Sequence, residues 1–375
     1  MPTKYRLPNS PKKSHPIYWL LVIVFLAALG WLWWQPAKNN PRRASNKIVA
    51  TKLPPVTNVI RLANSSSPKQ KNISPGSTAT TNTVISNGQF PRPVHDVFEA
   101  QVALIGQGIS SGSLDGALGS QTHAALAAFQ KQEGLPMTGV LDAATKTKLA
   151  LEEPPLTTYT ITSNDLARLQ PIAPTWLGKS QQTALDFENI LELVAEKSFA
   201  HPNLIRHLNP GINWSNVVAG TMVQVPNAAF PENPDPAAWI TIHLAAKTLE
   251  AFDSQTNLLV HFPCSIARRV EKRPIGLLHV EVIAPNPNYT FDPEVFPESA
   301  EAKLIKRKLI LPPGPNNPVG VAWIGLDRPG YGMHGTPHPE EVGRTESHGC
   351  FRLANWNAEY LVRIVRVGTP VYVVN

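Results

Sequence analysis

The chain has 375 residues, with 34 Lys and Arg against 27 Asp and Glu, a formal net charge of +7, and two cysteines. The charge is segregated: the first acid is Asp96, so residues 1–93 carry 13 basic groups and no acid, and residues 94–375 carry 21 basic against 27 acidic groups. A mildly acidic body behind a basic leader lacks the basic face that phosphate binding by counterion release requires, which removes the case for nucleic acid, and two cysteines are too few for a disulfide scaffold.

In chain order the first element is residues 17–34, 18 apolar residues with one glycine and no charge. As a helix they span roughly 27 Å, enough for a bilayer core. Trp19 at one end and Trp31, Trp33 and Trp34 at the other sit where an interfacial aromatic belt would. The run is long for a secretory signal and no small-residue cleavage site follows, so an uncleaved transmembrane signal anchor is expected. Lys4, Arg6, Lys12 and Lys13 precede it and Lys38, Arg42, Arg43 and Lys47 follow it, a tie that leaves orientation open. Residues 35–93, rich in Asn, Ser, Thr, Pro and Lys and without sustained periodicity, read as a disordered basic linker with an r.m.s. span of about 40 Å.

Residues 94–151 show helical spacing at Val97, Gln101, Leu104 and Ile105, a Gly/Ser turn, a second helix with Ala125, Leu126 and Phe129, and a last helix starting near Asp142. That pattern predicts a compact three-helix domain. Leu114-Asp115-Gly116, Gly119, Thr122, Phe129-Gln130, Gly134-Leu135, Thr138-Gly139, Thr145 and Leu149 resemble the peptidoglycan-binding domain over nearly the whole segment. The same residues also read as core and turn positions of a helical bundle, so binding is what the resemblance implies. Residues 157–226 open on the strand-like Thr158 to Thr162 and end in two helices, Leu208-Asn209-Pro210-Gly211, Ala219-Gly220-Thr221 and a strand closing at Val225-Pro226. They resemble a divergent LysM module with an insertion around residues 163–187, read either as a glycan binder or as a structural spacer.

From residue 238 the period becomes two. Residues 238–244, 248–252 and 258–262 predict a β-meander with turns at Ala245 to Lys247 and Asp253 to Asn257, and further strands are expected at 277–283, 319–326 and 370–374, with one helix after Asn355. A Pro-rich insertion at 284–318 interrupts the sheet, and an insertion of that length is expected to act as a lid over a site. Chemistry concentrates in Tyr331 to Pro339 and in Ser347-His348-Gly349-Cys350-Phe351-Arg352. Zinc is one reading, but a single thiolate is present and Pro337 and Pro339 flank His338, which rules out a helical histidine pair. Inert loops around a structural cysteine are a second. A cysteine nucleophile with a histidine base accounts for more of the residues: an imidazole that takes the proton makes a thiol an acyl-transfer catalyst, and a glycine directly before it lets backbone N–H groups face a developing oxyanion.

The run His334-Gly335-Thr336 followed by Ser347-His348-Gly349-Cys350-Phe351-Arg352 resembles the signature of the L,D-transpeptidase catalytic domain (YkuD, ErfK/YbiS/YcfS/YnhG type), and the resemblance extends over residues 238–374. It implies Cys350 as nucleophile and His334 as base and acid, oriented through the Gly335 carbonyl. It also implies an oxyanion region shaped by His348 and Gly349, and substrate-facing roles for Arg352, Ser347 and Tyr331. No metal or organic cofactor is implied. Asn357 stands where the family often has aspartate, and Asn355 is expected to cap the helix that follows. Cys264 reads as a buried structural thiol.

The expected fold class is multidomain: a cytoplasmic N-terminus (1–16), a transmembrane anchor (17–34), the linker (35–93), an all-α peptidoglycan-binding domain (94–151), an α+β LysM-like module (157–226) and a mostly-β L,D-transpeptidase domain (238–374). The resemblance implies cleavage of the bond between the third-residue L-centre and D-Ala of a stem tetrapeptide, with acyl transfer to an amine of another stem or of a wall-anchored protein. The alternative is a non-catalytic wall-binding scaffold acting through residues 94–226. Expected partners are peptidoglycan stem peptides and glycan, and the inner membrane through residues 17–34. Wall-directed chemistry puts the N-terminus in the cytoplasm and the catalytic domain in the periplasm.

Overall fold

The computed structural model describes residues 89–296, 299–347 and 349–375. The anchor, most of the linker and His348 therefore lie outside the described residues. Among the described residues no helix is long and apolar enough to cross a membrane.

The first helices are α1 (Val97–Gly106), α2 (Ser120–Gln132) and α3 (Ala143–Lys148). Asp96 and Asp142 begin α1 and α3 by accepting from the Glu99 and Thr145 N–H groups, the capping chemistry that Asp supplies at a helix start. Regular structure is already present before residue 94: β1 (Arg92–Pro93), placed in the linker by composition, pairs antiparallel with β2 (Ala150–Leu151). Arg92 holds Glu99 through two 2.7 Å hydrogen bonds, a fork that linker composition does not reveal.

Two buried glutamines staple the loops of this domain. Gln101 donates to Asp115 Oδ1 (3.0 Å) and Thr122 Oγ1 (3.0 Å) and accepts from the Gly116 N–H (2.8 Å). Gln130 donates to Val140 O (2.9 Å) and Thr145 Oγ1 (2.9 Å) and accepts from the Gly139 N–H (2.8 Å). The motif residues of this segment thus satisfy one another and hold the turns.

The middle segment pairs β3 (Leu156–Thr160) antiparallel with β4 (Met222–Pro226). Between them run α4 (Ser163–Ala167), α5 (Trp176–Ser180), α6 (Ile190–Lys197) and α7 (Pro202–Leu208). Ile161, Leu193, Val194, Ile205 and Val223 form its own small core.

The remainder is built on β5 (Trp239–His243), β6 (Thr248–Phe252), β7 (Leu258–Pro263), β8 (Gly276–Pro285), β11 (Ala322–Leu326), β12 (Gly332–His334), β13 (Phe351–Arg352) and β14 (Pro370–Val374). They form one eight-stranded sheet in the order β13-β12-β11-β8-β14-β5-β6-β7. The meander β5-β6-β7 follows the alternation in the sequence, and β12–β13 and β14–β5 are the parallel pairs. The Pro-rich insertion, expected as irregular, contains a hairpin of β9 (Tyr289–Phe291) and β10 (Leu309–Leu311) and a short helix α8 (Ala300–Leu304).

Helix α9 (Asn355–Ile364) packs across the sheet with Trp356, Asn357, Ala358, Tyr360, Leu361 and Ile364 all buried. Its outer side is covered as well: Trp356 stacks on Phe199 (5.7 Å) and Tyr360 on Phe230 (4.4 Å). The helical domain docks along the far edge, where Ile109 bridges His261 of β7 and the Ser110 N–H donates to His261 O (2.8 Å). Helical domain and sheet consequently share one hydrophobic core.

Candidate active site

Strands β12 and β13 run parallel with His334 opposite Arg352. Cys350 lies in the bend directly before β13, two residues ahead of Arg352 and so near the end of β12 that carries His334. Three loops converge there into a cleft of about 590 Å³ lined by Cys350, His334, Arg352, Gly349, Ser347 and Tyr331.

His334 is 6% exposed, stacks on Trp323 with centroids 5.6 Å apart, and its Nδ1 lies 2.6 Å from Gly335 O. A carbonyl can only accept, so Nδ1 carries the proton and a neutral ring presents Nε2 as acceptor. Burial pushes His334 down to about 4, with the nearby Arg352 charge acting in the same direction and the Gly335 hydrogen bond opposing. Burial pushes the Cys350 thiol up to about 11, opposed by the Gly332 N–H, and its Sγ donates to Gly330 O at 3.3 Å. At neutral pH both groups are uncharged, so the resting site is a thiol beside an imidazole rather than an ion pair.

The loop bearing Cys350 is pinned from below. Ser347 Oγ donates to Cys350 O (2.5 Å) and accepts from the Gly349 N–H (3.2 Å). The main chain of Ser265 exchanges two bonds with Arg352 (2.9 and 3.0 Å), and Ser265 Oγ accepts from the Gly343 N–H (2.9 Å). Arg352 donates to Thr345 Oγ1 (3.0 Å) and Glu346 O (2.6 Å), while its Nε is buried with no hydrogen-bond partner among the described residues. Tyr331 lies at the cleft wall under the Arg328 guanidinium, 4.8 Å from its ring centroid. His338 does not join the site: it is exposed and faces Glu340 at 3.8 Å. Cys264 is fully buried in the core, its thiol pushed up to about 12 by burial, as a structural cysteine would be.

Asn355 does not cap α9. Ala354 holds that position, and the Asn355 side chain turns away from the helix start. Its Oδ1 accepts from the Thr336 N–H (2.9 Å) and the Val321 N–H (3.3 Å), and its Nδ2 donates to Glu196 Oε1 (2.9 Å) and Pro315 O (3.2 Å). One amide thereby ties the loop after His334 to the lid stem and to the middle segment. A Cβ at Gly320, where φ is +60°, or at Gly335 would overlap this amide, which is why both positions are glycine. Burial raises the Glu196 carboxyl to about 8 against the opposing pull of the Asn355 bond. The sequence marked Asn355 only as a helix boundary; its partners lie up to 159 residues away. Asn357, at the departure from the usual aspartate, points elsewhere, with its Nδ2 3.2 Å from Ser110 Oγ of the helical domain.

A thiol directly before β13 and an imidazole at the end of β12, lining one cleft, are the pair that acyl transfer by a cysteine nucleophile requires. Residues 237–373 match the YkuD family, the L,D-transpeptidase catalytic domain, and residues 94–149 match the putative peptidoglycan binding domain. The chain is 26% identical over 182 residues to the putative L,D-transpeptidase YkuD of Bacillus licheniformis, a match covering 48% of this chain and 91% of that protein. It is 30% identical over 167 residues to the probable L,D-transpeptidase YbiS of Escherichia coli K12, covering 44% of this chain and about half, 53%, of that protein. An L,D-transpeptidase structure from Mycobacterium smegmatis aligns with 18% identity and a TM-score of 0.30, over 42% of this chain and 65% of that one. The chain carries a YkuD-type L,D-transpeptidase catalytic domain together with a peptidoglycan-binding domain.

Proposed function

We propose that the chain is a membrane-anchored peptidoglycan L,D-transpeptidase in which Cys350 is the nucleophile and His334 the general base and acid. The observation that carries this reading is the parallel register of β12 and β13, which sets the bend with Cys350 next to the strand end with His334, both lining one cleft. His334 Nε2 takes the thiol proton as Sγ bonds to the carbonyl carbon of the third stem residue. The Cys350 N–H receives the oxyanion. Collapse breaks the C–N bond, and D-Ala leaves with the proton that His334 held. An acceptor amine then attacks the thioester, forming C–N and breaking C–S, and its proton passes through His334 back to the thiol. Ser347 fixes the loop, Tyr331 shapes the wall, and Arg352 receives a substrate carboxylate. The scheme uses no metal or organic cofactor.

Release of D-Ala from a tetrapeptide muropeptide, with a carbapenem adduct on Cys350 seen by intact mass and both lost in Cys350→Ala, is the expected result. Neither signal from the wild-type chain would leave the scaffold reading, with work done by residues 94–226. The order β3-α6-α7-β4 supports the LysM-like reading of the middle segment.

The 18-residue apolar run at 17–34 and its flanking tryptophans support a single-pass anchor with a cytoplasmic N-terminus and a periplasmic catalytic domain. Peptidoglycan or a wall-anchored protein then supplies the acceptor. Retention in an alkali-washed membrane pellet, and protease sensitivity of the catalytic domain from the periplasmic side, are expected. A soluble full-length chain would overturn the anchor.

A further inference from the structure

The segment inserted into the middle module, residues 163–187, divides between two cores: Leu166, Leu169 and Phe187 pack into that module's own. Its apolar residues Ile172, Trp176 and Leu185 join Phe291, Leu309 and Leu311 of the Pro-rich insertion in a separate cluster. Trp176 stacks on Phe291 with centroids 4.4 Å apart and lies 6.3 Å from Tyr289. The two insertions are also laced through backbone. The Leu185 N–H donates to Pro313 O (2.8 Å), the Asn316 N–H donates to Leu185 O (2.9 Å), and the Leu177 N–H donates to Glu301 Oε1 (3.1 Å). Gly314, with φ +140°, lies so close to Leu185 O that any side chain there would collide with it.

This cluster has an open side. Trp176 is only half-buried, and with Tyr289 and Val295 it forms the wall of the cleft that holds Cys350 and His334. The burial that lifts Tyr289 to about 12 belongs to the same enclosed wall. Trp176 is carried from outside the catalytic domain to within the cleft of the nucleophile.

We propose that Trp176 is a specificity-determining residue for the acyl donor, forming with Tyr289 an aromatic wall against which the stem peptide on the acyl side of the scissile bond lies. The proposal rests on the reading of Cys350 as the nucleophile. An aromatic wall in a cleft that Arg352 and Lys272 also line suits a peptide with aliphatic stretches and a free carboxylate. The acylated stem occupies the cleft through both half-reactions, so the wall acts already at acylation.

The test compares two acyl donors on the full-length chain in detergent: a tetrapeptide muropeptide, read by D-Ala release, and a carbapenem too small to span the wall, read by intact mass. In Trp176→Ala, kcat/KM for the muropeptide is expected to fall about tenfold or more beyond any fall in carbapenem acylation, chiefly through KM, and Trp176→Phe is expected to recover most of the loss. Equal falls for both donors, no change for either, or a loss confined to the acceptor step would overturn it. Should the wild-type chain react with neither donor, the enzyme reading fails by itself. Trp176 is then judged in Cys350→Ala by muropeptide binding: about tenfold weaker binding on adding Trp176→Ala supports the wall, and unchanged binding removes it.

Discussion

The helical domain and the catalytic loops both carry dense sequence motifs, yet their polar groups end differently. Gln101 and Gln130 find their partners among the motif residues themselves, through Asp115, Gly116 and Thr122 in one case and Gly139, Val140 and Thr145 in the other. In the catalytic loops the thiol rests on a carbonyl and a neutral imidazole presents an acceptor to the cleft. A motif whose hydrogen bonds close on themselves holds a fold. One that leaves polar groups facing a cleft holds chemistry, because an unmade bond in a low-dielectric site is an interaction reserved for substrate.

The sharpest way to break this contrast is to remove one residue from each side. Cys350→Ala is expected to abolish D-Ala release while leaving the thermal midpoint within a few degrees, since the thiol is held by one weak hydrogen bond. Asn355→Ala comes next: it strips the Thr336 and Val321 N–H groups of their acceptor, and kcat is expected to fall about 10²-fold as the loop after His334 loosens. An unchanged kcat in a folded protein would show that the amide only fills space. Gln130→Ala should do the reverse, destabilising by about 2–4 kcal/mol in thermal melts while kcat on soluble donors stays within about twofold.

The smallest expected effect is with pH. A base must be neutral, so acylation should fall as pH drops through about 4, where His334 gains its proton, and thiolate should appear only towards about 11. Between pH 5.5 and 9 the rate is expected to vary by less than about twofold, with no rise in thiolate absorbance near 240 nm. A thiolate signal at pH 7 would mean that Cys350 and His334 rest as an ion pair.

The strands of the meander were legible because half-buried strands alternate apolar and polar residues, and β5, β6 and β7 fall within a residue or two of the expected spans. The Cys350 and His334 motifs were legible because glycine, histidine and cysteine at short spacing have few other uses. Asn355 was misread for a physical reason: Asn before a helical run is a good local cap, and local chemistry cannot show that its amide is claimed by Thr336, Val321 and Glu196. The Pro-rich insertion was legible as an interruption but not as a hairpin, because β9 and β10 are stabilised by Trp176 and Leu185 from more than a hundred residues earlier.

By itself the sequence determined what depends on neighbours along the chain: the segregated charge, the period-two strands, the helix start at Asp142, and the nucleophile and base motifs. Only the tertiary structure decided which groups share a face, a core or a hydrogen bond across long separations. It set Cys350, directly before β13, beside the end of β12 that carries His334, fused the helical domain to the sheet through one core, and carried Trp176 into the cleft. Backbone periodicity repeats over a few residues, whereas these contacts are chosen by which surfaces exclude water together, and that choice is made only when the whole chain is packed.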